Sequence, residues 1–222
     1  IFGNSLCVIA PHPDDEVLGC GGLITKLQKK KISTSLLIVS GHLPPLYKED
    51  DFEITRKEAL EAANIMGISN VEFLKIPATF INQTPINILN SKLTNFLKKN
   101  NVTSLALPFP DRHVDHKLIF EAGMVVSRPV GNCYPNLVFC YETLSETSWN
   151  APNIEPNFIP DMFINITDEI DIKKKALESY NSQISNNPSR DINAVDALAK
   201  YRGSQNGFSY AESFKIIRCL VN

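Results

Sequence analysis

One imidazole and three carboxylates are concentrated in residues 11–16, which read Pro-His-Pro-Asp-Asp-Glu. The apolar run before them, residues 6–10, is typical of a buried strand, and the glycine-rich stretch after them, residues 18–24, opens a helix. The charged side chains therefore lie where a strand ends and a helix begins, which is where open α/β sheets bind ligands. Because burying this much negative charge is costly without a cation, the stretch predicts a metal site.

A second histidine cluster, Asp-Arg-His-Val-Asp-His at residues 111–116, follows a predicted strand further along the chain. His12 and Asp15 are three residues apart at a tight turn, and His116 arrives from the same edge of the sheet. Two histidines and one carboxylate leave one position of a tetrahedral zinc site open for water, which favours catalysis over a structural role. We therefore predict His12, Asp15 and His116 as ligands of one Zn²⁺ per chain, although Fe²⁺ or Co²⁺ also suits such donors.

Three neighbouring side chains are predicted to carry the chemistry around that ion. A bound metal lowers the pKa of water to about 7, and Asp14 is the candidate general base that removes its proton. His113 is a candidate either to support the developing oxyanion or to protonate the leaving group. Asp115 is expected to orient an imidazole through a hydrogen bond.

Strand and helix patterns alternate through the first two thirds of the chain. Strands are predicted at residues 6–10, 34–40, 71–76, 104–107, 137–141 and 162–166. Helices are predicted from the glycine-rich stretch to about 30, over about 52–66 and 88–99, from the second histidine cluster to about 126, and over about 168–183 and 191–201. This alternation predicts an α/β fold, with a mostly parallel sheet flanked by helices and a C-terminal helical cap. The whole chain, 1–222, is expected to form one domain.

Composition limits the classes of partner. The 222 residues carry a formal net charge of −2, so there is no basic excess that would indicate nucleic acid. No apolar segment approaches the roughly 18 residues of a membrane span. The five cysteines form no Cys-x-x-Cys pair, which is typical of reduced thiols in a cytoplasmic protein. We expect a small-molecule substrate, and the composition leaves a homo-oligomer open.

The two clusters together resemble the signatures of the PIG-L/LmbE-like zinc-dependent N-deacetylases. Residues 11–22 are similar to the first signature, and residues 113–116 are similar to the second, which usually reads His-Pro-Asp-His. Further similarities are spread over nearly the whole chain. They are Arg56, Glu58, Tyr141-Glu142, Trp149, Ser182-Gln183, Arg202-Gly203 and residues 210–214.

The resemblance implies a Rossmann-like fold and removal of an N-acetyl group from an amino sugar, usually N-acetylglucosamine in a conjugate. It implies the same ligands as above, with Asp14 as the base and His113 as the second catalytic group, and it implies that Arg56 contacts the substrate. Two departures stand out. Val114 replaces the usual proline, and Asp111 stands where some members place a tyrosine that contacts the oxyanion.

Four further residues are candidates for substrate binding, and each has a structural alternative. Arg56 contacts the substrate or forms a surface ion pair. Glu142 accepts sugar hydroxyls or makes a structural hydrogen bond, and Trp149 stacks on a sugar or anchors its loop. Arg190 is a candidate to bind a charged aglycone. His42 follows a predicted strand, but no partner motif surrounds it, so a plain loop histidine is expected.

The function predicted is zinc-dependent release of acetate from an N-acetylglucosamine-type conjugate. One alternative is cleavage of a different amide, such as a glucosaminide precursor of a thiol cofactor. Another is a non-catalytic metal- or sugar-binding protein, which the presence of Asp14 beside the ligands disfavours. The glycines at 19, 21 and 22 do not have the Gly-x-Gly-x-x-Gly spacing of a dinucleotide loop, so an oxidoreductase is the weakest reading.

Overall fold

One mixed sheet organises the computed structural model, which describes residues 1–131, 133–185 and 187–221. The seven strands in these ranges are β1 (Ser5–Ala10), β2 (Ser33–Gly41), β3 (Asn70–Pro77), β4 (Ser104–Pro108), β5 (Leu137–Tyr141), β6 (Met162–Asn165) and β7 (Ala211–Cys219). Their order across the sheet is β3-β2-β1-β4-β5-β7-β6. Neighbours from β3 to β5 run parallel, whereas β7 is antiparallel to β5 and β6. The predicted α/β class with a mostly parallel sheet is confirmed.

Helices cover both faces of the parallel part of this sheet. The helices in the described ranges are α1 (Asp15–Lys29), α2 (Asp51–Met66), α3 (Ile86–Lys99), α4 (Val114–Val126), α5 (Ile170–Glu178), α6 (Asn181–Ile184) and α7 (Ile192–Ser204). Side chains of β1 alternate between two cores, one shared with α1, α2 and α5 and the other with α3 and α4. Because both faces are buried, polar groups can collect only where the strands end.

The glycine-rich stretch lies inside α1 and allows that helix to pack closely. A Cβ on Gly19 would overlap the ring of Tyr141, and one on Gly22 would lie 2.7 Å from a methyl group of Ile166. Larger side chains at these positions would push α1 away from the sheet. The glycines are therefore explained by helix packing, which agrees with the prediction that they do not form a dinucleotide loop.

The last third of the chain departs from the prediction in two places. The helix predicted over about 168–183 is wrong, because α5 ends at Glu178 and α6 begins at Asn181. The strand β7 was not predicted, and it lies between β5 and β6 in the sheet. The C-terminal part therefore supplies a strand to the main sheet as well as the helices that pack against it.

The cysteines form no disulfide bond in the described residues. All five are free, with Cys7, Cys20 and Cys140 buried and Cys133 and Cys219 exposed. Among the described residues, no helix has both the length and the apolar character that a membrane crossing requires.

Candidate active site

Two loops meet at the carboxyl ends of β1 and β4, which are neighbours in the sheet. The loop after β1 carries His12, and the loop after β4 leads to His113 and His116. The ring centroids of His12 lie 4.4 Å from His113 and 5.6 Å from His116, and the latter two rings are 5.1 Å apart. One nitrogen from each of the three rings lies within 4.8 Å of the others. The two sequence clusters, about 100 residues apart, therefore form one site.

The turn that leads into α1 is held in a strained conformation. Asp14 has a φ of 106°, outside the range that residues with a side chain normally adopt. The buried carboxylate of Glu16 accepts a hydrogen bond from the backbone N–H of Asp14 at 3.2 Å and another from the Tyr180 hydroxyl at 2.5 Å. Burial raises the pKa of Glu16 to about 8. This support from the start of α1 and from α5–α6 fixes the direction of the Asp14 side chain.

Asp115 determines which nitrogen of His12 faces the site. Its carboxylate lies 2.9 Å from Nε2 of His12 and accepts the backbone N–H of Thr79 at 2.7 Å. With the proton of His12 on Nε2, the lone pair on Nδ1 faces Asp15, whose Oδ2 is 3.2 Å away. The predicted orienting role of Asp115 is thus directed at His12.

Asp111 determines in the same way which nitrogen of His116 faces the site. Its carboxylate lies 3.0 Å from Nδ1 of His116, and it also accepts the backbone N–H of His113 at 3.0 Å and the Thr147 hydroxyl at 2.8 Å. Nε2 of His116 is then left as the free nitrogen. It is buried and has no hydrogen-bond partner in the part of the chain that the structure describes, and it lies 3.3 Å from Oδ2 of Asp15.

These donors fit a divalent metal ion. Nδ1 of His12 and Nε2 of His116 lie 3.2 and 3.3 Å from the same Asp15 oxygen. A tetrahedral ion with bonds of about 2.1 Å separates its ligands by roughly 3.4 Å, so each nitrogen lies at the distance from the shared carboxylate oxygen that such a site requires. An unpartnered buried imidazole nitrogen is costly, and a metal ion would provide its missing partner.

The carboxylates and imidazoles of this cluster shift one another's pKa values. Burial opposes protonation of both imidazoles, but the carboxylates outweigh it. Hydrogen bonds with Asp115 and Asp15 raise the pKa of His12 to about 9, and the charge of Asp15 with the Asp111 hydrogen bond raises the pKa of His116 to about 10. The two rings in turn hold the pKa of Asp15 well below its usual range against the effect of burial.

Asp14 lies beside this cluster as a separate buried carboxylate. Its Oδ2 accepts a hydrogen bond from Nη1 of Arg190 at 3.1 Å. Burial and the charge of Asp15 raise the pKa of Asp14 to about 7, and Arg190 and His12 only partly oppose this. A carboxylate whose pKa lies close to neutrality is suited to take and return a proton.

His113 is held as a neutral ring. Its Nδ1 accepts the backbone N–H of Asp115 at 3.1 Å and so caps the first turn of α4. The proton of the ring must then be on Nε2. Burial, followed by the charges of His12 and His116, lowers the pKa of His113 to about 4. His113 therefore offers an N–H donor toward the site at neutral pH.

The four predicted substrate-binding residues have different surroundings. Arg190 reaches Asp14, and its Nη2 also donates to Ser145 and Glu146 at 3.1 and 3.3 Å. Arg56 pairs with Glu53 at 3.4 Å and lies over the ring of Phe73, which is the surface ion pair weighed as its alternative. Trp149 is 60% exposed at the end of a short 3-10 turn.

Glu142 makes the structural hydrogen bonds that were its alternative role. Its two oxygens accept from Nε and Nη2 of Arg202 at 2.8 and 2.6 Å, and the Ser213 hydroxyl donates to it at 2.6 Å. These partners connect the end of β5 with α7 and β7. The carboxylate is therefore already satisfied by the protein.

Sequence reasoning missed the roles of Asp111, Glu16 and Tyr180. Asp111 was noted only as a replacement for tyrosine, although it stands five residues before His116 in the same motif. Glu16 was counted among the carboxylates without a role. The contribution of Tyr180 comes from 164 residues further along the chain, and no local pattern indicates it.

Comparison with known proteins identifies the relatives of this chain. A model of the PIG-L family, described as GlcNAc-PI de-N-acetylase, matches residues 7–127. The diacetylchitobiose deacetylase of Thermococcus kodakarensis is 24% identical over 233 residues, a match that covers 96% of this chain and 82% of that protein.

Solved structures share the fold over nearly the full length. The conserved protein TT1542 from Thermus thermophilus has a TM-score of 0.76 at 26% identity, covering 98% of this chain and 96% of that one. The 4-carboxy-2-hydroxymuconate hydratase GalB of Pseudomonas putida has a TM-score of 0.77 at 18% identity, covering 99% and 98%. Because a deacetylase family and a hydratase share this architecture, the fold alone does not define the reaction. The family match spans more than half of the chain and includes both histidine clusters, and it shows that this protein belongs to the PIG-L family of de-N-acetylases.

Proposed function

We propose that this protein is a metal-dependent N-deacetylase that releases acetate from an N-acetylglucosamine-type sugar in a conjugate, with residues 1–222 acting as one catalytic domain. One observation carries the proposal: Nδ1 of His12 and Nε2 of His116 converge on one oxygen of Asp15, and the carboxylate of Asp14 lies beside them. The family match adds the reaction class, because its description is that of a de-N-acetylase.

His12, Asp15 and His116 would hold the metal. Two imidazole nitrogens and one carboxylate oxygen suit zinc, and iron or cobalt is accepted by similar donors. When bound, such an ion supplies a Lewis acid that polarises the amide carbonyl and makes water more acidic. Asp111 and Asp115 would keep the two rings in the tautomers that bind it.

Asp14 would act as the general base. It takes the proton of the attacking water and can pass that proton to the amine nitrogen as the C–N bond breaks, so that acetate and the free amino sugar are released. Its strained backbone and its support by Glu16 hold the carboxylate in one direction. A sugar entering the site meets Arg190 beside this base, so Arg190 is the strongest of the four candidates for substrate binding.

His113 would stabilise the charge that develops on the carbonyl oxygen. Because its Nδ1 is occupied by the backbone of Asp115, its Nε2–H is the group that can point to substrate. The low pKa of the ring means that it donates as a neutral imidazole, which favours the oxyanion role over protonation of the leaving group.

Two other functions, a non-catalytic binding protein and an amidase for a different substrate, are compatible with parts of the site. A non-catalytic binding protein has no use for a buried carboxylate placed beside three metal donors. An amidase that acts on a thiol-cofactor glucosaminide precursor would use the same residues, so only the substrate separates it from the proposal.

Acetate release tests the proposal directly. Zinc-loaded protein is incubated with N-acetylglucosamine and its conjugates, including a glucosaminide precursor of a thiol cofactor, and acetate and new amine are quantified. Asp14→Asn, which removes a general base worth about 10²- to 10⁴-fold, is expected to retain zinc and lose turnover by that factor. Full zinc occupancy with no acetate from any of these sugars would instead support the binding protein. Asp14→Asn turnover within a few-fold of the parent would remove Asp14 from the base role.

A further inference from the structure

The two carboxylate oxygens of Asp14, the proposed base, have different surroundings. Among the residues that the structure describes, only Arg190 donates a side-chain hydrogen bond to this carboxylate, from Nη1 to Oδ2 at 3.1 Å. Oδ1 of Asp14 has no hydrogen-bond partner in the same part of the chain. One oxygen is therefore held by the protein, and the other is left to accept a proton.

The backbone at Asp14 determines where the side chain leaves the turn, but it does not determine the plane of the carboxylate. The φ of 106° and the hydrogen bond from the backbone N–H to Glu16 set the position of Cβ. The last torsion of an aspartate side chain is broad and roughly two-fold, so the carboxylate can rotate unless something holds it. The bond from Arg190 restricts this rotation and leaves Oδ1 as the unbound oxygen.

The loop after β5 anchors the guanidinium group of Arg190 on its other side. Nη2 of Arg190 donates to the Ser145 hydroxyl at 3.1 Å and to Oε1 of Glu146 at 3.3 Å. Ser145 is buried and has a φ of 74°, a left-handed conformation that costs free energy in a residue with a side chain. This strained turn brings both acceptors to the same nitrogen.

A planar guanidinium suits this arrangement, because its nitrogens point in different directions from a rigid group. One nitrogen of Arg190 is used for Asp14 and the other for the loop after β5. Its positive charge lies 3.1 Å from the carboxylate of Asp14 and 3.3 Å from that of Glu146. The charge of Arg190 is therefore offset within the protein rather than left open for an anionic group of a substrate.

The same loop also supports a histidine of the site. The Thr147 hydroxyl donates to Asp111 at 2.8 Å, and Asp111 lies 3.0 Å from Nδ1 of His116. The backbone N–H of Thr143 donates to the Thr147 hydroxyl at 2.9 Å and so closes the loop over residues 143–147. One short segment therefore contacts both the partner of the proposed base and the partner of a proposed metal ligand.

We propose that Arg190 is a positioning residue of the reaction. Held by Ser145 and Glu146, it fixes the carboxylate plane of Asp14 so that Oδ1 accepts the proton of the attacking water. This inference rests on the proposed function, because it assumes that Asp14 is the base. Arg190 acts through Asp14 and not through contact with the substrate, so its loss lowers kcat and leaves KM unchanged.

Arg190→Lys tests this role, because lysine keeps the charge but has a single nitrogen that cannot join Asp14 to the loop. kcat and KM for acetate release from N-acetylglucosamine and N,N′-diacetylchitobiose are measured on zinc-loaded parent, Arg190→Lys and Arg218→Lys. Arg218 is the matched control, since it donates to the backbone carbonyls of Ser127 and Pro135 near the amino end of β5. We expect Arg190→Lys to lower kcat about 10- to 100-fold with KM within about twofold of the parent, and the control to resemble the parent.

The same substitution in Asp14→Asn protein separates a positioning role from a purely structural one. With the base removed, Arg190 has nothing left to position, so Arg190→Lys should change the remaining turnover by less than about twofold. Glu146→Gln weakens the anchor of Arg190, so it should also lower kcat in the parent and be silent beside Asp14→Asn, and it replaces Arg190→Lys if that variant does not fold. Unchanged kcat, a change in KM alone, or a further loss beside Asp14→Asn would overturn the inference while the proposed function stands.

A parent that releases no acetate from either sugar would instead contradict the proposed function. The contact between Arg190 and Asp14 is then judged from crystal structures of the parent and of Arg190→Lys. A carboxylate plane of Asp14 that turns away from its direction in the parent supports the positioning role, and an unchanged plane refutes it.

Discussion

Two carboxylates outside the ligand set decide which nitrogen each histidine offers. Asp115 faces Nε2 of His12, and Asp111 faces Nδ1 of His116, so the remaining nitrogens both point at Asp15. The choice of tautomer is therefore made by side chains that do not touch the proposed metal. His12 therefore presents Nδ1 and His116 presents Nε2.

Asp111→Asn is expected to weaken metal binding without unfolding the protein. Asparagine keeps the size of the side chain but loses the charge that makes His116 a better ligand, and losses at such positions are about 10- to 100-fold in affinity. Competition with a chromogenic zinc chelator measures the dissociation constant. Thr147→Val is the matched control, because it removes one hydrogen bond to Asp111 and keeps the carboxylate. Equal zinc affinity in Asp111→Asn and the parent would exclude an orienting role.

The sequence motifs predicted which residues gather at the site but not how they are oriented. His12, Asp14, Asp15, His113 and His116 could be identified because each cluster directly follows a strand, and neighbouring parallel strands end at one edge. Apart from Asp115, their hydrogen-bond partners could not be identified in this way. The Arg190–Asp14 pair joins residues 176 positions apart, and that contact exists only after the C-terminal helices have packed.

At the scale of elements, helix α1 positions the first sequence cluster, residues 11–16, at the carboxyl end of β1. The helix begins at Asp15, so its first turn carries a proposed metal ligand, and its glycines let it approach the sheet closely. The prediction of a helix over residues 18–24 is confirmed, although the glycines in this stretch lower its helix propensity. The close packing of these glycines against Tyr141 and Ile166 compensates for that low propensity.

Gly19→Ala is expected to destabilise the protein by about 1–3 kcal/mol, because a new methyl group overpacks the contact with the Tyr141 ring. That ring cannot easily move away, since its hydroxyl donates to the carbonyl of Ile9 at 2.9 Å. Urea unfolding followed by circular dichroism gives the change in free energy of unfolding.

Gly21→Ala in the same helix is the matched control. Its Cβ would lie 3.1 Å from Cγ of the Lys173 chain rather than against an aromatic ring, and alanine favours the helix by about 1 kcal/mol over glycine. The loss in Gly21→Ala should therefore be clearly smaller. Equal stability of the two variants would contradict the packing explanation for Gly19.

Strand β7 could not be predicted because its pattern depends on distant partners. Glu212 and Ser213 are buried in it, which is unusual for a strand between two others. Glu212 accepts the backbone N–H groups of Gly22 and Leu23 at 2.8 and 2.7 Å and pairs with Lys173 at 2.6 Å. A buried carboxylate of this kind is stable only with such partners, and the local sequence does not show them.

At the scale of the whole molecule, the proposed metal site joins distant parts of the chain. The loop after β1 and the first turn of α1 supply His12 and Asp15, the middle of the chain supplies His116, and the C-terminal third supplies Tyr180 and Arg190, which support Asp14. Metal binding should therefore stabilise the whole fold rather than one loop, since a ligand that binds only the folded state adds to the free energy of unfolding.

The raised pKa values of the two histidines proposed as ligands make this stabilisation depend on pH. Both are raised, to about 9 for His12 and about 10 for His116, from an unfolded value near 6.5. In metal-free protein their contribution to stability is complete below about pH 6.5 and is lost as the pH rises through 9 to 10. A metal ion binds only when both rings have lost the proton from the coordinating nitrogen. For each proton that must be released, metal binding becomes more favourable by about 1.4 kcal/mol per unit rise in pH below the pKa of the ring.

The difference in Tm between zinc-loaded and metal-free protein is therefore expected to widen as the pH rises from about 6.5 to 8.5. Scanning calorimetry in non-coordinating buffers, with zinc or with a chelator, measures it at each pH. His116→Ala serves as the control and should give a small difference that does not change with pH. A gap that is constant or narrows with rising pH would mean that the imidazoles do not have to lose protons when metal binds, and His12 and His116 would then not be its ligands.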